Sequence, residues 1–352
     1  MRFKELKRLI RMSVLRDCQL YHAMRFRMHK AKYIADIKRF RGNVNLVEEY
    51  RLLKEMRRAT MEYHWNSEEF FLFNYEKLTD EQRREFVCEY DKNVFCDQVN
   101  NAKDANIFYS KWKTYEMFKG FFKRDAVLVK STKDVSRKDV RLFLSKHFCF
   151  IMKPIDSACG RGIQVVNASC EKDATHKLIN ILESLPMTYI VEELIVQVDE
   201  MACFHPKSVN TIRIPTINYG DEVEILRCFF RTGRGDSFVD NAGAGGVFGE
   251  IDTDTGVIIA ACDERGYQYS VHPDTHIQMV GTKVPCWKDA IEIAKKLSKV
   301  LPNVVYVGWD LALTDQGWVL VEGNDKGQFL FQYTQGKGFT RQLDQIKQRL
   351  GV

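Results

Sequence analysis

Nowhere in the chain do the roughly 18 consecutive apolar residues of a membrane-spanning helix occur, and the opening MRFKELKRLIRMSVLRD carries charges where a secretory leader needs an apolar stretch. The chain is therefore expected to be neither membrane-spanning nor secreted, and so cytoplasmic. Its ten cysteines include no Cys-x-x-Cys pair, and its eight histidines do not gather at ligand spacing. Reduced thiols fit this pattern better than disulfides, and structural zinc is disfavoured. Walker A and protein-kinase signatures are missing, and the GAGGVFG stretch does not satisfy the Rossmann glycine spacing. No zinc finger or aromatic RNA-reading motif occurs, which disfavours nucleic acid. No nucleophile–base pair stands at an interpretable spacing, so covalent catalysis has no support. Repeats and low-complexity stretches are absent.

What is there is the composition of an ordinary globular protein, 45% hydrophobic and 28% charged over 352 residues, long enough for two or three domains. Charge is lopsided. Residues 1–60 hold 17 Lys and Arg against 6 Asp and Glu, a balance of +11 within a whole-chain +6, so the remainder carries −5. To about residue 120 the chain is free of proline, and apolar residues such as Leu6, Leu9, Ile10 and Val14 return every three or four positions, which predicts helices. Their basic faces could meet an acidic membrane surface, nucleic acid or a partner, or could simply be solvated.

Beyond residue 120 the texture becomes short β-rich runs between turns. Strands are expected at 148–154, at 162–166 as its hairpin return, at 189–191, and as an antiparallel pair at 210–218 and 222–231. Further hairpins are expected around 253–256 and 314–317, and helices at about 171–185 and 287–300. Strands and helices mixed without strict βαβ alternation predict an α+β fold.

Several groupings could carry chemistry. The run Phe148–Pro154 followed by Ser157-Ala158-Cys159-Gly160-Arg161-Gly162 drives Lys153 out of an apolar strand into a glycine turn. Such a turn lets backbone N–H groups approach a phosphate while a lysine adds a point charge, although a plain strand corner has the same look. In Trp318–Asn324, Glu322 and Asn324 share a strand face, and the short turn at 314–317 can bring Asp310 opposite them. Carboxylate and carbonyl oxygens at that spacing suit Mg²⁺; the alternative is a hydrogen-bonded Asp beside a turn-capping Asn. Alternation puts Thr211 and Arg213 on the face opposite Ile212 and Ile214, and gives Arg227 and Arg231 one parity. Guanidinium groups facing a cleft suit phosphate or carboxylate, and on an outer face they would be solvated charges. Glu192-Glu193-Leu194-Ile195 could form a hinge whose backbone reads an adenine edge while an acid meets ribose hydroxyls, or could be a solvated strand end. The stretch 238–247 could lie against a substrate, move as a lid, or serve as a long hairpin connection. His205 and His272, each before proline, could touch a substrate or be loop histidines without a catalytic role.

In their order along the chain, FIMKPIDSACGRGI, VEELIVQ, HPKSVNTIRIPT, VDNAGAGGVFGEID, VGWDLALT and VLVEGN resemble the ATP-grasp superfamily, and within it the sugar-transfer-associated proteins found beside polysaccharide and capsule biosynthesis genes. The resemblance covers roughly residues 90–340. It implies an ATP-grasp fold in two α+β parts, 91–200 and 201–352, behind a basic helical region at 1–90. It implies that Lys153 and an upstream lysine, Lys111 or its neighbour Lys113, hold ATP phosphates, with Ser157, Gly160 and Gly162 closing over them. Glu192, Glu193, Leu194 and Ile195 would line the adenine and ribose site. Arg213 and Arg231 would face the γ-phosphate or an acceptor carboxylate, making them with Lys153 the catalytic residues. Asp310, Glu322 and Asn324 would hold one or two Mg²⁺ ions, or Mn²⁺ in their place. The Asp325-Lys326 pair departs from the smaller neutral residues expected there. The implied activity is ATP-dependent joining of a carboxylate and an amine through an acyl phosphate, the partners being small and sugar-linked molecules, in glycan assembly. The alternatives are a kinase or phosphotransferase, or a nucleotide-binding scaffold that docks on glycan machinery or the inner membrane face through residues 1–60.

Overall fold

Among the described residues the proline-free stretch is mainly helical, with apolar faces turned inward and polar caps at several helix starts. The computed structural model describes residues 18–157, 160–240, 245–329 and 331–352. The predicted stripe Leu6, Leu9, Ile10 and Val14, the Ala158-Cys159 part of the glycine turn, and residues 241–244 lie outside them. Helices α1 (Gln19–Met28), α2 (Lys30–Arg41), α3 (Leu46–Tyr63) and α4 (Ser67–Leu72) come first. The Asn45 side chain accepts the Glu48 N–H at the start of α3, and Asn66 with Glu69 forms a capping box for α4. Leu52, Met56, Ala59 and Tyr63 bury one face of α3 against an aromatic core that includes Trp65, Phe70, Phe73 and Phe86. On α1, Leu20, Met24 and Met28 stay exposed beside Arg27. Among the described residues no helix is long and apolar enough to cross a membrane. Helix α5 (Glu89–Val99) and helix α6 (Lys111–Phe122) lead into the sheets.

The first sheet is antiparallel, in the order β1-β4-β2-β3: β1 (Ala126–Val129), β2 (Cys149–Pro154), β3 (Gln164–Asn167) and β4 (Tyr189–Glu193). Helices α7 (Lys138–Lys146) and α8 (Glu171–Ser184) cover one face, where Val140, Phe143, Leu178 and Leu182 pack on Phe150, Met152 and Val191. Strand alternation therefore sends Ile151 and Lys153 to the opposite face.

The second sheet runs β11-β10-β5-β7-β8-β9, with β6 on the far end of β5. Its strands are β5 (Thr211–Asn218), β6 (Val223–Ile225), β7 (Cys228–Thr232), β8 (Val247–Ile251), β9 (Ile258–Asp263), β10 (Tyr306–Thr314) and β11 (Gly317–Asn324). Helix α9 (Trp287–Val300) packs Ala290, Ala294 and Leu297 into the core beneath it, with Ile212, Ile214 and Trp309. Every pairing is antiparallel, and helices and strands segregate into layers, which is the α+β architecture expected. The hairpins at 253–256 and 314–317 and the helices near 171–185 and 287–300 fall where the sequence puts them.

One expectation fails. The strand predicted over 222–231 is broken: β6 ends at Ile225 and β7 starts at Cys228, each pairing a different part of β5. At the break Arg227 turns to Glu250, with Nε 2.7 Å from Oε1, so it does not share a cleft-facing row with Arg231.

Between Glu322 and Asn324, buried Gly323 packs against aromatic rings. A Cβ there would come within 2.6 Å of Phe108 and 2.9 Å of Trp309. Gly323→Ala is expected to lower the unfolding free energy by about 1–3 kcal/mol through overpacking. Urea unfolding with an unchanged m-value checks this, and a loss below about 0.5 kcal/mol would mean that the rings move aside freely.

Candidate functional site

The inner faces of the two sheets enclose a cavity of about 380 Å³. From the first sheet it is lined by Lys153, Ser157, Gly160 and the run Glu192 to Ile195; from the second by Arg213, Arg231, Asp310, Glu322 and Asn324; and from the start of α6 by Lys111. Of the residues expected along the glycine turn, the 192–195 run and the metal strands, Gly162 is not on this wall. It is exposed and holds a left-handed φ of 74°, with Pro154 Cγ 2.9 Å from where a Cβ would be, so it shapes the turn from behind. Gly160, at φ 72°, abuts Val239 instead, which brings the glycine turn against the 238–240 segment.

The choice between Lys111 and Lys113 follows from helix geometry. The Lys111 backbone N–H donates to Ile155 O at 3.1 Å and its Nζ donates to Ser157 O, so the first residue of α6 points at the glycine turn. Lys113, two positions on, is turned roughly 200° away around the helix and does not line the cavity.

On the first sheet the central group is Glu192. Its side chain is 3% exposed, with Lys153 Nζ 3.2 Å from each carboxylate oxygen and Arg124 Nε 2.8 Å from Oε2. Burial would push the Glu192 carboxyl up, but Lys153 and Arg124 outweigh it and hold it below its usual range. Burial pulls the Lys153 ammonium down against the support of Glu192. Glu192 thus serves as counter-ion to two cations. Glu193, also on the wall, accepts the Asp125 N–H at 3.1 Å and lies near His147.

On the second sheet Asp310 stands opposite both Arg213 and Glu322, and Gly308 opposite Asn324. Arg213 grips Asp310 through two bonds of 2.5 Å, and Arg231 Nη1 donates to Oδ2 at 2.7 Å. The expected metal ligand and the two expected phosphate-facing arginines therefore hold one another. Burial would raise the Asp310 carboxyl, yet the two guanidinium groups keep it below its usual range. Glu322 has the opposite balance: burial first, then the Asp310 charge, push it up against the pull of Lys111, Arg213 and Lys153. Among the described residues the Glu322 carboxylate has no hydrogen bond or ion pair, and Asn324 Nδ2 is buried without a partner. The Glu322 carboxylate and the Asn324 side-chain oxygen on one strand face, with the Asp310 carboxylate beside them, are hard oxygen donors of the kind that fits Mg²⁺.

Two residues at the site were given no role of their own in the sequence reading. Arg124 lies at the end of α6, where a basic residue looks like an ordinary partner for the helix C-terminus. Asp240, inside the quoted VDNAGAGG, accepts from Thr211 Oγ1 and lies 3.3 Å from Arg231 Nη2, and Thr211 shares the parity of Arg213. Strands β7 and β8 pair with each other, and of the described residues between them Phe238, Val239 and Asp240 line the cavity. His205 and His272 pin its root: His205 Nε2 lies 3.1 Å from Gly235 O and His272 Nε2 lies 2.9 Å from Gly233 O. Asp325 and Lys326 dock α5 under the end of β11. Lys326 Nζ lies 2.5 Å from Asp97 Oδ1, and Asn100 Nδ2 donates to Asp325 O at 2.9 Å.

Asp310→Ala is expected to destabilise the protein by about 3–5 kcal/mol, because it strands the buried Arg213 guanidinium and leaves Arg231 with Asp240 alone. Arg231→Met, which leaves the Arg213 fork intact, is expected to cost no more than about 2 kcal/mol. Denaturant unfolding of both variants checks the order, and equal losses would show that the fork contributes nothing beyond Arg231.

Solved structures similar to this chain include VanG D-Ala:D-Ser ligase from Enterococcus faecalis, at 16% identity and TM-score 0.47 over 74% of this chain and 68% of that one. D-alanyl-alanine synthetase A from Vibrio cholerae matches at 11% identity and TM-score 0.45 over 72% and 68%. The ADP complex of purK, N5-carboxyaminoimidazole ribonucleotide synthetase, matches at 11% identity and TM-score 0.40 over 64% of this chain and 46% of that one, so this chain spans just under half its length. No curated protein matches the sequence. A family model described as sugar-transfer associated ATP-grasp matches residues 90–348, which include every residue of the cavity wall: the chain belongs to the sugar-transfer associated ATP-grasp family.

Proposed function

We propose that this protein is an ATP-dependent carboxylate–amine ligase working through an acyl phosphate, with a sugar acid or similar carboxylate and an amino acid or amine as substrates in glycan assembly. The observation that supports it most is one cavity that gathers two lysines at a glycine turn, two arginines and the Glu322–Asn324 pair. ATP with Mg²⁺ is the cofactor pair of an ATP-grasp protein. Lys111 and Lys153 would hold the phosphates, and Leu194 and Ile195 would pack on the base. Asp310, Glu322 and Asn324 would hold the metal. When bound, Mg²⁺ offsets phosphate charge and orients the chain for in-line transfer.

In the reaction a substrate carboxylate oxygen attacks the γ-phosphorus and ADP leaves. The amine then attacks the acyl carbon, phosphate departs, and the amine nitrogen loses a proton. Arg213 and Arg231 would face the negative charge that builds on the transferred group and then on the tetrahedral carbon centre. No side-chain nucleophile is required, in keeping with the absence of a nucleophile–base spacing in the sequence. The family's description as sugar-transfer associated supports the sugar-linked substrate class.

The test is an ADP-release screen with Mg²⁺-ATP over paired sugar acids and amines, read by mass spectrometry, followed by ¹⁸O-labelled carboxylate. One label per turnover is expected in the released phosphate. Unlabelled phosphate accompanying amide would reject the acyl phosphate, and a stable phosphorylated product would make the protein a kinase. Lys153→Ala and Glu322→Ala are each expected to lower ADP release by about 10²-fold or more, as removal of a group that stabilises transferring charge does. Lys111→Ala is expected to weaken turnover and Lys113→Ala to leave it near wild type; the reverse order would move the upstream phosphate contact to Lys113.

A further inference from the structure

Three charged side chains are buried together at one end of the cavity. Glu192 and Arg124 are 3% and 4% exposed and Lys153 13%, so the lysine is the member nearest the opening. The two cations approach the carboxylate differently. Arg124 Nε and Nη2 both crowd onto Oε2, at 2.8 and 2.6 Å, whereas Lys153 Nζ lies 3.2 Å from Oε1 and from Oε2 alike. Arg124 is fixed from the other side as well: its Nη1 donates to Leu320 O on β11 at 2.7 Å, and its guanidinium lies 4.5 Å from the Phe122 ring centroid. The arginine is therefore the permanent partner of Glu192, and the lysine is the partner with a looser, symmetric hold.

A lysine paired to a buried carboxylate can turn to a phosphate only if that carboxylate stays compensated, since breaking a buried pair leaves an uncompensated charge. We infer that Arg124 is a positioning residue for the nucleotide phosphates: it keeps Glu192 paired when Lys153 turns from it to an incoming phosphate oxygen. Glu192 then parks Lys153 beside the glycine turn in the free protein, and Arg124 makes the release affordable. This rests on the nucleotide reading above. The simpler alternative is that Arg124 only ties the first sheet to the second through Leu320 O.

Binding of Mg²⁺-ATP measured by calorimetry separates the two. Arg124→Met leaves Lys153 as the sole partner of Glu192 and is expected to weaken binding by about tenfold or more. Adding Glu192→Gln removes the charge that traps the lysine and is expected to bring affinity back to within about threefold of wild type, although the Leu320 tie stays broken. Arg124→Lys, which keeps the charge, is expected to lie nearer wild type than Arg124→Met. A purely structural tie predicts the same weakness in Arg124→Met with and without Glu192→Gln, and that result would overturn the inference, as would unchanged affinity in Arg124→Met. Should Arg124→Met alone fail to fold, the double variant, which buries neither charge, decides: affinity near wild type supports the inference and a tenfold loss overturns it. Absence of Mg²⁺-ATP binding by the wild-type protein would instead remove the nucleotide reading, and this inference with it.

Discussion

A carboxylate in the middle of an apolar strand must find cations, and Asp310 finds two on neighbouring strands. The flanking residues Trp309 and Leu311 are buried in the core, so Asp310 projects from the opposite face of β10. Arg213 reaches it from β5 and Arg231 from β7. These contacts demand one register across three strands, since a slip of one residue would turn Asp310 into the core and Trp309 into the cavity. The same register puts Glu322 beside Asp310 and Asn324 opposite Gly308. Between Asp310 and Leu311 the pairing shifts, leaving Val321 as an extra residue on β11. The Leu320 carbonyl that receives Arg124 sits at this irregularity.

Each sheet thus offers the cleft one buried carboxylate with two cations: Glu192 with Lys153 and Arg124, Asp310 with Arg213 and Arg231. In both, the cations outweigh burial and hold the carboxylate below its usual range. An anionic phosphate chain entering that space meets donors whose present partners are carboxylates, which is an exchange of like acceptors instead of a desolvation from water. Glu322 stands outside both clusters, and burial first, then the charge of Asp310, push its carboxyl up.

Strand alternation explains why so much of this was readable beforehand. The parity of Thr211 and Arg213, the pairing of Glu322 with Asn324 and the hairpin that returns Asp310 all depend on a period of two, which local sequence carries. Glycine at 160 and 162 marked the turn for the same reason, although only one of the two faces the cavity. Local pattern could not reveal Arg124 as the partner of Glu192, 68 positions away, because that pair forms between a helix end and a strand end. Nor could it show that Arg227 leaves the strand for Glu250, since the break at Leu226 follows from the way β6 and β7 divide the length of β5.

The long β7–β8 connection is the one wall element whose composition left its behaviour open, and its contacts restrict it. Its root is held at Gly233 and Gly235 by two buried histidines and by Ser208 and Asp274, with the Gly233 N–H donating to Ser208 Oγ at 3.1 Å and the Gly235 N–H to Asp274 at 2.6 Å. A side chain on Gly233 would sit 2.6 Å from Ser208 Oγ and 2.7 Å from His205 Nδ1, so the backbone must pass close to the histidine pair. Farther along, Asp240 is tied to Thr211 and Arg231, and Val239 rests on Gly160. The described part of the connection, 233–240, is thus held at both places. Any movement of Asp240 must release Arg231, and Arg231 is the same side chain that shares Asp310 with Arg213. The glycine turn of the first sheet, the connection and the ion group of the second sheet therefore form one contiguous surface, in which displacing any member changes the partners of the next.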